Sequence, residues 1–331
     1  MLKAYKMEVL LMKPKVYVTY KIPEKPLELL KEKCDVVINN MDRFLTKEEL
    51  CKNLKGMDGV ICMFSDCIGR EVIDCLQGVK IFANYAVGYN NIDFHYAASK
   101  GIWVTNTPGV LTNATADIAW GLLFSVARRI VDSDRCTREG MFKRWTPTWF
   151  LGQDITGKTL GIIGAGRIGS NFARKAKGFD MKILYFNRTQ DKKFEEETGA
   201  IYVDKHTLLR ESDFVSIHVP LSIETKHMLG LNEFKMMKKT AVLINTSRGP
   251  VLDEKALVEA LRDGYIWGAG LDVYENEPIV EPGLFNLENV VLTPHIGSST
   301  TETREKMTEI VALNILAALN GEEPPNCVNQ R

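Results

Sequence analysis

The sequence has no excess of charge, no long apolar run and no paired cysteine motif, and each lack removes a class of function. Lys+Arg and Asp+Glu both number 42, so the formal net charge is zero. A balanced chain gives no electrostatic reason to expect nucleic acid or an anionic membrane as partner. No apolar stretch approaches the ~20 residues of a membrane span. The "VLLM" run near the start is shorter than a secretory core segment. MLKAYKMEVLLMKPKV therefore reads as an extra lead before the first strand, with Met7 or Met12 as internal starts, and a cytoplasmic location is expected. The seven cysteines (34, 51, 62, 67, 75, 136 and 327) are odd in number and include no CxxC pair. Cys62 and Cys67 are the closest two and have no His/Cys set beside them, so reduced thiols and no zinc are expected.

What is present is ordinary globular composition, 45% hydrophobic and 25% charged, over 331 residues, about two domains' length. Short β-branched runs alternate with helical patterns, the signature of an α/β fold with parallel sheets. The first set is KVYVTY (15–20), CDVVIN (34–39), GVICMF (59–64), VKIFAN (79–84) and IWVTN (102–106), with helical stretches such as KPLELLKEK and TKEELCKNL between them. These five predict a small doubly wound sheet. A long helix is then expected over TNATADIAWGLLFSVARRI, capped by Thr112 or Asn113. After WTPTWFLG (145–152) come six more runs: TLGIIG, KILYFN, FVSIHV, AVLINT, GAGLDV and VVLTP. Six is the strand count of a dinucleotide-binding sheet. The final TTETREKMTEIVALNILAALNG predicts an amphipathic helix ending at Gly321.

TLGIIGAGRIGSNF sets Gly164, Gly166 and Gly169 between a strand and a helix. In such a loop the first glycine allows a tight turn and the second lets the backbone approach a pyrophosphate. The third permits close helix–strand packing, and the helix N-terminus faces the phosphates. GxGxxG alone is weak evidence; the flanking strand and helix give it weight. Downstream, INTSRGPVLD, GAGLDVYENEP and LTPHIGSS each follow a strand of the second set, carrying Arg248, Glu277 and His295. Ligands of open α/β sheets bind beyond those strand ends. Singly, each residue has a plain structural use: a hydrogen-bonding histidine, a loop-bracing arginine, an element-ending Glu-Pro. Together they can grip a carboxylate, exchange a proton near the ~6.5 of a free histidine, and orient that histidine while favouring its charged form.

The chain resembles the D-isomer-specific 2-hydroxyacid dehydrogenase family, and within it the glyoxylate/hydroxypyruvate reductase branch. The resemblance is carried by NYAVGYNNID (84–93), TPGVLTNATAD (107–117), GIIGAGRIG (161–169), VPLSIET (219–225), INTSRG (244–249), GAGLDVYENEP (268–278) and LTPHIGS (292–298), which span nearly the whole chain. It implies a Rossmann-type cofactor domain (111–299) inserted into a flavodoxin-like substrate domain (1–110 and 300–331), and a homodimer built through the cofactor domain. Arg248 would bind the substrate carboxylate and polarise the carbonyl, His295 would act as acid/base, and Glu277 would pair with it. Val87 and Gly88 would offer N–H groups to the carboxylate, and Met63, with Phe64 and Ser65, would form the substrate loop. The cofactor set would be Thr112, Gly164, Gly166, Arg167, Ile168, Gly169, Asn187, Arg188, Thr189, Val219, Pro220, Thr225, Thr246, Asp272 and Gly297. Trp145 matches a tryptophan that reaches the partner's pocket in the reductase branch.

The implied reaction is NAD(P)H-dependent reduction of a small 2-oxoacid. Where NAD-dependent relatives place an acid for the ribose hydroxyls, this chain has Asn187, Arg188 and Thr189. That change favours NADP over NAD, since an arginine can hold a 2′-phosphate; the plain reading is a solvated turn. Dehydrogenases of D-glycerate 3-phosphate, D-lactate or 2-ketogluconate are alternatives inside the family. A dinucleotide-sensing corepressor-like binding protein is the alternative outside enzymes, disfavoured by the WTPTW loop and the lack of long flanking segments.

Overall fold

The computed structural model describes residues 13–329; the expected lead with Met7 and Met12 lies outside the described residues. The chain divides into two compact units, one running to Val110 and resuming at Thr300, the other Leu111–Ser299.

In the first unit the β-branched runs form β1 (Lys15–Val18), β2 (Asp35–Ile38), β3 (Gly59–Cys62), β4 (Ile81–Asn84) and β5 (Trp103–Thr105). All pair in parallel in the order β2-β1-β3-β4-β5, the flavodoxin-like arrangement. Alternation along each strand sends Tyr17, Val60, Phe82 and Val104, which stand in one register row, into a common core with Leu50, Leu54 and Val72. The opposite face receives the helix Thr301–Leu319, which buries Met307, Val311, Ile315 and Ala318 along one stripe. A Cβ on Gly59 would stand 3.0 Å from Ile315 Cδ1, so glycine lets the helix lie on β3 without moving the end of that side chain.

The second unit contains β6 (Thr159–Ile163), β7 (Lys182–Phe186), β8 (Ile201–Tyr202), β9 (Phe214–Ile217), β10 (Val242–Asn245), β11 (Gly268–Leu271) and β12 (Val290–Leu292). Their order is β12-β11-β10-β9-β6-β7-β8, all parallel. The order reverses at β6, which places the glycine loop after β6 at the topological switch point. Leu160, Ile162, Tyr185, Phe214 and Ile244 pack on one face against Trp120, Leu123 and Phe172. Ile163, Leu184, Val215, Ile217 and Leu243 pack on the other against Leu208, Phe234 and Leu257. Among the described residues no helix is long and apolar enough to cross a membrane.

Three local expectations are corrected. The second sheet has a seventh strand, β8, whose Ile201 and Tyr202 are half exposed at the edge and show no apolar run. The helix begins at Thr112 with Leu111 as its N-cap and no side-chain cap, so neither Thr112 nor Asn113 caps it. Leu111 is buried, which fixes the entry of the chain one residue early; Asn113 instead accepts a hydrogen bond from Asn171 at 2.8 Å. That helix also stops at Ala127 rather than running to Ile130. Gln153 N–H donates to the Ala127 carbonyl at 2.8 Å, and Arg129 turns left-handed (φ 53°) with its guanidinium over the Phe150 ring. A second helix, Ile130–Arg138, then starts in a new direction.

Candidate active site

The glycine loop leaves β6 and enters the helix Arg167–Ala176, with Gly166 as N-cap. Gly164 has φ 97°, and a Cβ there would come within 2.8 Å of both the His218 carbonyl carbon and Val219 Cγ1. At Gly169 a Cβ would overlap the Gly164 carbonyl oxygen. Gly166 differs, because a Cβ would meet nothing within 4 Å. Two glycines are thus demanded by the protein's own packing, while the third faces open space beside Arg167 and Ile168 at a helix N-terminus. An open helix N-terminus of this kind can accept an anionic group. Asn187, at the end of β7, accepts from Ala165 N–H at 3.3 Å and so braces the same loop. Arg188 and Thr189 project from it, exposed.

Beyond β9, His218 closes under the loop. Burial holds its imidazole far below the usual range, at about 3, so it is neutral; its Nε2 shares a 2.9 Å hydrogen bond with Ser216 Oγ, and its ring packs on Phe172. Thr225, in the next turn, donates to the Pro220 carbonyl at 2.7 Å and accepts from Ser222 N–H at 2.7 Å. Thr246, just after β10, keeps a buried hydroxyl without a hydrogen-bond partner among the described residues.

Arg248, Glu277 and His295 follow the ends of β10, β11 and β12, which are neighbours in the sheet. Glu277 Oε2 accepts from His295 Nδ1 at 2.7 Å, and its Oε1 accepts from Tyr274 N–H at 3.0 Å. His295 sits in the left-handed region (φ 55°), a conformation that L residues adopt seldom and that aims its ring back at Glu277. The Arg248 guanidinium donates to the Ser247 carbonyl at 2.7 Å, and the loop is pinned by Asn245, whose amide donates to the Arg248 carbonyl at 3.0 Å. Burial pushes the Arg248 pKa down, and the Glu277 charge pulls it back up. A Cβ on Gly249 would overlap the Tyr274 carbonyl and Glu275 nitrogen, so the arginine loop lies directly on the backbone that leads to Glu277.

Asp272 is buried and caps the histidine loop from below. One carboxylate oxygen accepts from Thr293 Oγ1 (2.6 Å) and Ile296 N–H (2.8 Å), the other from Gly297 N–H (2.8 Å). Burial raises its pKa, opposed by the Thr293 hydroxyl and these N–H groups. This bracing of Gly297 and the loop around His295 is the contact the structure gives it. In the first unit, Met63 follows β3 and Val87 and Gly88 follow β4. Asn91 donates to the Met63 carbonyl (3.0 Å), Asn106 to that of Val87 (2.8 Å) and Asn84 to that of Gly88 (2.8 Å). Asp66 accepts from Met63 N–H at 2.7 Å and from Thr19 Oγ1 at 2.5 Å. These asparagines and Asp66 fix both loops and escaped the reading of the sequence. The only signal for them was the density of asparagine in NYAVGYNNID and VTNTP.

Comparison with known proteins places the chain in a family. The family model "D-isomer specific 2-hydroxyacid dehydrogenase, NAD binding domain" matches residues 120–297. The glyoxylate reductase of Thermococcus kodakarensis is 51% identical over 323 residues, covering 96% of this chain and 97% of that protein. Among solved structures, a glyoxylate reductase from Paecilomyes thermophila is similar at TM-score 0.85 and 34% identity, covering 96% of this chain and 98% of that one. An NADPH-dependent glyoxylate/hydroxypyruvate reductase from Sinorhizobium meliloti, in complex with NADP and malonate, is similar at TM-score 0.85 and 32% identity, covering 96% and 97%. With its glycine loop at the switch point of a Rossmann-type NAD-binding unit, the chain belongs to the D-isomer specific 2-hydroxyacid dehydrogenase family.

Proposed function

We propose that this chain reduces a small 2-oxoacid, glyoxylate or hydroxypyruvate, to the 2-hydroxy acid, using NADPH in preference to NADH. The observation that carries the reading is the 2.7 Å His295–Glu277 pair, set beside the Arg248 loop at the ends of three adjacent strands. Bound reduced nicotinamide supplies the hydride. Arg248 grips the substrate carboxylate and polarises the carbonyl, whose oxygen gains negative charge in the transition state; a cation of fixed position stabilises that charge. Nδ1 of His295 is engaged with Glu277, so Nε2 carries the proton to the forming alkoxide and takes it back in the reverse direction.

The dinucleotide is held by the unit Leu111–Ser299. Gly164, Gly166, Arg167, Ile168 and Gly169 take the pyrophosphate. Thr246, whose buried hydroxyl has no hydrogen-bond partner among the described residues, flanks the rest together with Thr112, Val219, Pro220, Thr225, Asp272 and Gly297. Asn187 braces the loop while Arg188 and Thr189 take the 2′-phosphate. The working form is a homodimer: Ile130, Val131, Met141, Phe142, Trp145 and Leu151 expose a run of apolar side chains around one segment, a pattern that marks interaction sites. Trp145, 78% exposed in the single chain, would reach the partner's pocket. Seven free thiols suit the reducing cytoplasm.

Steady-state reduction of glyoxylate, hydroxypyruvate and a sugar-derived 2-oxoacid, measured side by side with NADPH and NADH, tests the reading. The highest kcat/KM is expected for one of the two small acids with NADPH, and Arg248→Ala should lower kcat and raise KM. An Arg248→Ala protein of full rate would remove the arginine from the mechanism.

A further inference from the structure

Arg248 and Glu277 stand on separate loops, and one histidine with no place in the chemistry touches both loops. His227 N–H donates to the Pro250 carbonyl at 2.8 Å, two residues beyond Arg248. Its ring Nε2 pairs with Glu275 Oε1 at 2.5 Å, two residues before Glu277. The residue holds this double reach in the left-handed region, φ 49°, where a non-glycine residue is uncommon and its presence asks for a reason. The segment after it continues the attachment: Leu229 N–H donates to Val251 and Asp253 N–H to Leu229. On its other side Glu275 is held through its backbone, its N–H donating to Glu254 Oε1 at 2.6 Å at the start of the helix Glu254–Arg262. Direct packing of Gly249 on Tyr274 and Glu275 makes the loops neighbours. The His227 ring adds a polar link between them.

We infer that His227 is a positioning residue that staples the Arg248 loop to the Glu277 loop, and so sets the spacing between the carboxylate-binding cation and the His295–Glu277 pair. The inference rests on the proposed roles of Arg248, Glu277 and His295. Its mechanical content follows from geometry. A carboxylate on Glu275 can only accept, so the imidazole Nε2–H is the donor. Losing that donor leaves Glu275 held by Glu254 and by the packing of Gly249, with no side-chain tie to the Arg248 loop, and lets the turn carrying Glu277 shift relative to Arg248. Misplacement of about 1 Å at a reacting centre costs on the order of a hundredfold in rate, so a partial drift should show clearly in kcat.

The test compares His227→Ala, His227→Gln and His227→Gly in glyoxylate reduction with NADPH, with Arg248→Ala and His295→Asn measured in the same assay. His227→Ala is expected to lower kcat about tenfold, leaving KM for NADPH unchanged because the glycine loop is untouched. His227→Gln, whose side-chain amide can donate to Glu275, should recover most of that loss. His227→Gly relieves the backbone conformation yet lacks the donor, so it should stay as slow as His227→Ala. Wild-type kcat in His227→Ala, beside inactive Arg248→Ala and His295→Asn, overturns the staple and leaves the proposed function standing. The same holds if His227→Gln is as slow as His227→Ala while both melt like the wild type. Full activity in Arg248→Ala or His295→Asn overturns the function and the staple together.

Discussion

Alanine at Gly164 and alanine at Gly166 differ by two positions in one loop, and the structure gives them opposite costs. At Gly164 the new Cβ comes within 2.8 Å of the His218 carbonyl carbon and of Val219 Cγ1, and the backbone has φ 97°. Ordinary contact starts near 3.4 Å, so β6 and the strand end at His218 must part by about 0.6 Å in an interior packed as tightly as a crystal. Backbone strain of roughly 1–3 kcal/mol and overpacking of roughly 1–3 kcal/mol then add. For a unit of this size each kcal/mol lowers the melting temperature by about 2–4 °C, which predicts a fall on the order of 5–20 °C for Gly164→Ala without any ligand. At Gly166 the Cβ meets nothing within 4 Å, so Gly166→Ala should melt within a degree or two of the wild type. Its methyl group instead occupies the approach to the helix N-terminus, and the dissociation constant for NADPH should rise at least about tenfold through lost backbone contact. Thermal melts of the ligand-free protein and fluorescence titration with NADPH read the two effects separately. A Gly166→Ala protein with wild-type affinity would refute the placement of the pyrophosphate at this loop. A Gly164→Ala protein with an unchanged melt would refute the packing argument.

Arg188→Ala should cut the ratio of kcat/KM for NADPH over NADH by roughly ten- to a hundredfold, the worth of one charge-assisted hydrogen bond; a wild-type preference for NADH counts against the assignment of Arg188. His218 gives a pH signature. Its folded pKa, about 3, lies below the ~6.5 of the unfolded chain. Below ~6.5 the unfolded state binds a proton that the folded state refuses, so this contribution is intact above that pH and is lost as pH falls toward 3. From pH 7 to pH 5 the wild type should lose about 2 kcal/mol more than His218→Gln in urea unfolding. Equal losses in the two proteins would show that His218 is charged in the fold.

Legibility in the sequence follows the distance over which each feature is determined. The glycine loop is local: strand, three glycines and helix lie within 20 residues, and the reversal of strand order at β6 put it where such loops work. Arg248, Glu277 and His295 are distant in sequence, yet each follows a strand end, and parallel neighbouring strands bring those ends together. Features set by a remote partner were not legible. The helix break at Arg129 depends on Gln153 N–H, which arrives after an intervening helix and loop. β8 is two half-exposed residues at an edge and carries no pattern. The bracing carboxylates Asp66 and Asp272 accept mostly from main-chain N–H groups, which every residue possesses, so their partners leave no mark in the sequence. His227 is similar, since a lone histidine after VPLSIET gives no hint of Pro250 or Glu275.

Hydride delivery to a small 2-oxoacid is the claim on which the rest depends, and isotope transfer measures it without reference to any rate. The wild-type protein is incubated with glyoxylate and NADPH deuterated at the transferring position of nicotinamide C4, and glycolate is examined by proton NMR. Glycolate carrying one deuterium at C2 is predicted, with transfer abolished in His295→Asn. Glycolate without deuterium, or no glycolate at all from the wild type with either nicotinamide cofactor, would contradict the account.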